Sequence, residues 1–135
     1  MSLIGKRKGR PTTRMQLDAI LKRFQVFLKV ELRITYDVPV ILIDDADYAK
    51  RVKAFGEITD KNVIYLSVIN RHPVDILRTL AHEYIHYKQL MERGPNSRSS
   101  KAGSVTENQA NAKAGELIRR YGNLHPELFD LMPIR

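Results

Sequence analysis

Residues 79–87 read Thr79-Leu80-Ala81-His82-Glu83-Tyr84-Ile85-His86-Tyr87, and the spacing inside this stretch decides the fold around it. Leu77, Leu80, Ala81, Ile85 and Leu90 recur as a helix that buries itself against the rest of the chain would require. Pro73 suits the first turn of that helix and Asp75 its positive end. Gly94-Pro95 stops it, so the helix is predicted over 73–92. On it, His82 and His86 are four residues apart and project from one face, a turn from each other. That separation lets both imidazoles bind one zinc ion and leaves room for a third protein ligand and a water. Glu83 lies beside the pair, placed to take a proton from a metal-activated water. Two histidines and a glutamate in so apolar a stretch also need partners.

The third ligand has to come from another element. Glu107, Glu116, His125, Glu127 and Asp130 are the candidates downstream. Glu107 is preferred. It opens a second helix, predicted over 105–121 and stopping at Gly122-Asn123, and the polar loop 94–104 (GPNSRSSKAGS) is long enough to turn the chain back. The helix face Glu107, Ala110, Ala114, Leu117, Tyr121 is small near its start, which lets two helices approach around an ion. Ser104-x-x-Glu107 has the spacing of a capping box as well, and in that role Glu107 would need no metal.

Outward from this centre, Leu17, Ile20, Leu21, Phe24, Phe27, Leu28 and Val30 recur at three- and four-residue spacing, giving an amphipathic helix over 12–33. Phe24, Phe27 and Leu28 belong to the core in this reading. Val38–Ile43 is short, β-branched and bounded by aspartates, hence a strand. Asp44, Asp45 and Asp47 form a solvated turn. Residues 52–58 and 63–69 are read as a hairpin joined by Thr59-Asp60-Lys61-Asn62. The fold class is therefore α+β: an N-terminal helix, a small three-stranded twisted sheet, the helix with His-Glu-x-x-His, and a following helix with the third ligand. Residues 1–11 are read as a flexible basic arm and 12–135 as one domain, the size of an ordinary single core.

His82-Glu83-Tyr84-Ile85-His86 followed by Glu107-Asn108-Gln109-Ala110-Asn111-Ala112-Lys113-Ala114 resembles the gluzincin pattern of zinc metallopeptidases. Its spacing is most similar to ImmA/IrrE-like peptidases, whose second motif reads Glu-x-x-Ala-Asn/Asp-x-Phe-Ala, and the size is similar to minimal single-domain gluzincins. The resemblance spans residues 38–121. It implies His82, His86 and Glu107 as zinc ligands, Glu83 as general base, and Asn111 as a residue that steadies a ligand. Lys113 departs from the pattern, standing where the family has Phe. The implied activity is zinc-dependent hydrolysis of peptide bonds in a protein or peptide substrate, with Tyr121, His125 or Tyr84 stabilising the oxyanion. The resemblance further suggests that a strand of the hairpin, with 63–69 as the first choice, binds an extended peptide by strand addition.

Charge gives the second reading. Residues 1–36 hold nine Lys/Arg against Asp18 and Glu31, so nearly all of the net charge of +8 is N-terminal. Lys8-Gly9-Arg10-Pro11 is one residue from the Arg-Gly-Arg-Pro core of AT-hook segments, and residues 6–14 are a candidate for weak nucleic-acid contact. The alternative function is thus a DNA-associated accessory protein with a structural or vestigial metal site; a zinc hydrolase of non-peptide amides is a third. SprT-like proteases offer a comparison, but they use a third histidine, against which Glu107 argues. Cysteine is absent, which excludes disulfide scaffolds, thiolate zinc sites and cysteine nucleophiles. The longest apolar run, Val38–Ile43, is far below the ~20 residues of a membrane span. With no signal-peptide pattern at the start, a cytoplasmic location is expected.

Overall fold

A computed structural model describes residues 9–52, 54–59, 61–93 and 105–135. A capping box opens the first helix, α1 (Arg14–Leu32): Gln16 N–H donates to Thr13 Oγ1 at 3.1 Å, and Thr13 N–H donates to Gln16 Oε1 at 2.8 Å. Its apolar stripe, Leu17, Leu21, Phe24, Leu28 and Leu32, is buried. Phe27 is half-buried and packs against Phe24, as expected of a core residue. The helix ends at Arg33, whose left-handed backbone (φ 57°) turns its N–H onto the carbonyls of Lys29 and Val30.

The three-stranded sheet has the order β2 (Val40–Ile43), β4 (Ile64–Ser67), β3 (Gly56–Ile58). β3 and β4 form the expected antiparallel hairpin, and β2 runs parallel to β4 with Val40 opposite Ile64 and Ile43 opposite Ser67. The hairpin connection includes Asn62 at φ 60°, a conformation that asparagine tolerates; Asp60 lies outside the described residues. The class is α+β, as the sequence predicts.

Three details differ from that prediction. A short helix, α2 (Tyr48–Val52), occupies the start of the segment read as the first hairpin strand. Pro11, assigned to the arm, lies with Thr12 in β1, parallel to β5 (Met132–Ile134), and Thr12 Oγ1 donates to the Met132 carbonyl. Residues 1–8 of the arm and the 94–104 loop lie outside the described residues. Finally, the last long helix, predicted to stop at Gly122-Asn123, passes through Gly122 and ends at Leu124. Gly122 is a packing residue there: a Cβ would come within 2.8 Å of the Phe129 ring, so the glycine admits the 3-10 turn Pro126–Asp130 onto the helix.

The site is carried by α3 (Pro73–Arg93) and α4 (Val105–Leu124). α3 is surrounded by α1, β3, β4, α4 and the C-terminal turn and strand. Ile76, Leu77, Leu80, Ala81 and Tyr84 are at most 1% exposed. Burying a large aliphatic side chain contributes about 1.5–3 kcal/mol, so this helix is fixed by packing on almost every side. β5 adds backbone bonds to the segment leading into it: Ile134 N–H donates to the Arg71 carbonyl and Asn70 N–H to the Ile134 carbonyl. Among the described residues, no helix is long and apolar enough to cross a membrane.

Candidate metal centre

Glu83, His86 and Gln89 are buried at 5%, 1% and 6% exposure in this apolar setting. Buried polar groups require partners, and here the partners are one another and the start of α4. His82 Nε2 lies 2.7 Å from Glu107 Oε1, and His86 Nε2 lies 3.0 Å from Glu107 Oε2. The two rings are 4.5 Å apart, nearly perpendicular. His82, His86 and Glu107 thus present one donor atom each, all within 4.8 Å of one another, as a group able to hold a metal ion.

The outer nitrogens explain the orientation. His86 Nδ1–H donates to Gln89 Oε1 at 2.9 Å, and His82 Nδ1–H to Glu83 Oε2 at 3.2 Å. With each Nδ1 facing an acceptor, each Nε2 faces a Glu107 oxygen, and that of His86 lies within hydrogen-bond reach of Oε2 at 3.0 Å. Such a set repels itself unless a cation or protons lie between the donors. Among the described residues, His82 Nε2, although close to Glu107, and Glu83 Oε1 are buried without a well-formed hydrogen bond. An ion held at ~2.0–2.1 Å by each donor sets their separations near ~3.4 Å in a tetrahedral site, and the observed arrangement is within small side-chain adjustments of that value. The donor set therefore fits a metal ion.

The same charges act on the ring of His82. Burial resists its charged form, but the hydrogen bond and charge of Glu83, together with the charge of Glu107, outweigh this and raise its pKa above the ordinary 6.5.

The donors face a cleft of about 740 Å³ between α3, α4 and β3. Glu57, Arg78 and Asn111 line it with the site residues. Gly56 lets β3 approach: a Cβ there would lie 2.7 Å from Thr79 Cγ2 and 3.3 Å from Glu83 Cγ.

The other third-ligand candidates are placed elsewhere. Glu116 pairs with Lys113 at 3.1 Å, and His125 stacks on Tyr121 with Glu127 3.5 Å away. Asp130 is exposed in the 3-10 turn. Ser104, the partner in the capping-box reading, lies outside the described residues. The three residues considered for oxyanion stabilisation do not line the cleft. Tyr84 is fully buried and donates to Gln25 Oε1 at 2.7 Å, and Tyr121 packs with His125 on Phe24 and Phe27. Of the two hairpin strands, β4, within 63–69, is central in the sheet, and the edge strand beside the metal group is β3.

Of the remaining features, the acidic turn is used in ion pairs of Asp44 with Arg14 and Asp45 with Arg51. Arg14, the last residue of the basic segment, is thereby engaged within the fold. His72 accepts the Val74 N–H at 3.0 Å, a helix-start role. Sequence reasoning did not single out Gln89 or Arg78. Their positions three residues after His86 and four before His82 were the available signal, since both spacings share a helix face.

No protein-family model, curated protein or solved structure matches the chain.

Proposed function

We propose that the protein is a zinc-dependent peptidase of gluzincin type, with His82, His86 and Glu107 as metal ligands and Glu83 as general base. The observation that carries this reading is the convergence of those three donors beside a buried Glu83 oxygen that has no hydrogen-bond partner among the described residues, all facing one cleft. Two imidazoles and a carboxylate are a donor set suited to catalytic zinc, which keeps a position open. When bound there, zinc supplies Lewis acidity and makes a water acidic enough to be activated at neutral pH.

The chain's own residues do the rest. Glu83 Oε1 accepts a proton from the attacking water and hands it to the leaving amine nitrogen, while its Oε2 remains on His82 Nδ1. Gln89 holds the His86 ring in the orientation that turns Nε2 inward. β3, the edge strand of the three-stranded sheet, runs along the cleft. Asn111, which lines the cleft, is a donor available to a developing oxyanion.

The test is zinc content and turnover of a quenched-fluorescence peptide library by wild type, Glu83→Gln, His86→Ala and Glu107→Ala. The expected result is one zinc per wild-type chain, weakened in both ligand variants, and cleavage that Glu83→Gln reduces by at least a hundredfold, the lower range for losing a general base. Zinc binding without cleavage of any peptide would replace this reading with a structural metal site. Absence of zinc binding would end it.

A further inference from the structure

A second cavity of about 720 Å³ adjoins the metal cleft, sharing Ala54, Phe55, Arg78 and Thr79 as a common rim. Its charge is opposite in kind. Apart from the shared Arg78, the metal cleft is lined by Glu57, Glu83 and Glu107, whereas the neighbouring cavity has Lys50 and Arg71 against Asp75 alone.

The two arginines have different duties. Arg71 is pinned: Nη1 donates to the Ser67 carbonyl at 2.8 Å, and Nη2 donates to Thr79 Oγ1 at 2.7 Å and to the Asp75 carbonyl at 3.1 Å. Its guanidinium stacks over Phe55, 4.2 Å from the ring centroid. Those bonds go to neutral acceptors, and Asp75 offsets only part of the positive charge that Lys50, Arg71 and Arg78 bring to the cavity. Arg78 is exposed one helical turn before His82, at the rim of both cavities, and no ion pair engages it among the described residues. A free guanidinium fork on a rigid helix is suited to bidentate capture of a carboxylate.

We infer that this cavity is a specificity pocket for a substrate carboxylate, either an acidic side chain or the free C-terminus of a peptide, with Arg78 as the residue that grips it and Arg71 as the fixed background charge. The inference rests on the peptidase reading of the adjacent cleft, and it narrows the substrate class to peptides with a negative group close to the bond presented to the metal site.

The experiment measures binding rather than turnover, so that it survives failure of the catalytic reading. Zinc-loaded Glu83→Gln protein is titrated with short labelled peptides differing only in Glu against Gln, and in a free against an amidated C-terminus. The same titrations are run with Arg78→Gln added, and with Arg119→Gln added as a distant, exposed control. Peptides carrying the preferred carboxylate should bind about tenfold tighter than their neutral counterparts, the scale of one charge-assisted hydrogen-bonded contact. Arg78→Gln should erase that preference and Arg119→Gln should keep it. Which peptide pair shows the difference identifies side chain or terminus. Equal binding of acidic and neutral peptides, a preference that survives Arg78→Gln, or no binding of any peptide would overturn the inference. If wild type cleaves peptides without such a preference, the pocket alone is refuted. If an Arg78-dependent preference appears with no cleavage, the pocket stands and the peptidase reading falls.

Discussion

Gly56 and Thr79 are packed so closely that a single added carbon would not fit: a Cβ on Gly56 would lie 2.7 Å from Thr79 Cγ2. This contact sets the distance between the edge strand β3 and the metal-site helix α3. Thr79 cannot simply rotate away, because its Oγ1 donates to the Asp75 carbonyl and accepts from Arg71. Gly56→Ala should therefore destabilise the fold by about 1–3 kcal/mol, the usual range for overpacking. Thr79→Ser removes the obstructing methyl and keeps the hydroxyl, so the double variant should regain most of the loss. Urea unfolding of the two single variants and the double one checks this. A double variant no more stable than Gly56→Ala would show that the Thr79 contact is not the source of the cost.

Gln89 is the residue whose effect on the metal should exceed its visibility. It accepts the His86 Nδ1–H at 2.9 Å while itself almost fully buried. Gln89→Leu fills much the same space but leaves the ring without its orienting acceptor. Zinc affinity should fall about 10- to 100-fold, as is usual when a partner behind a metal-ligating histidine is removed. A competition titration against a chromophoric chelator measures it. Unchanged affinity would mean that packing alone orients His86.

The centre was legible in the sequence because its geometry is mostly local. A helix puts residues four apart on one face, so His82 and His86 followed from α3, and α3 followed from its apolar neighbours. Glu107 needed one further step, a helix returning across a loop, and small residues at its start supported that step. What escaped depends on pairing between distant segments. Pro11–Thr12 and Met132–Ile134 are too short to carry a period, and each is a strand only because the other lies beside it. Which hairpin strand lies at the edge also escaped, because strand order rests on the pairing of β4 with the distant β2. Gly122 was read as a helix stop because glycine so often is one; its true constraint, the Phe129 ring, comes from a separate turn.

A bound ion would tie α3 to α4 across residues 94–104, and this should appear in the stability of the whole domain. Anything that binds only the folded state adds stability by mass action, about 2.7 kcal/mol at a free concentration one hundred times Kd. Thermal unfolding of the zinc-loaded protein should shift upward relative to the chelated protein, and the shift should shrink sharply in Glu107→Ala. If the Glu107→Ala shift equals that of wild type, the stabilising ion is bound elsewhere.

The size of that metal-induced shift should depend on pH, and the sign follows from His82. Its pKa in the metal-free fold is raised above 6.5: burial opposes the charge, but Glu83 and Glu107 more than compensate. A group raised in this way contributes stability to the metal-free protein that is fully present below its unfolded pKa and is lost as pH rises through the folded value. Metal binding has the opposite dependence, because the ion needs the neutral ring and competes with the proton for Nε2. The two trends reinforce each other: as pH rises from 5.5 to 8, the chelated protein loses the His82 contribution while the zinc-loaded protein gains affinity. The difference in Tm between loaded and chelated wild type at constant total zinc should therefore widen with pH across this range, and in His82→Ala it should be smaller and flatter. A difference that narrowed with rising pH would place the bound ion on ligands other than this pair of histidines.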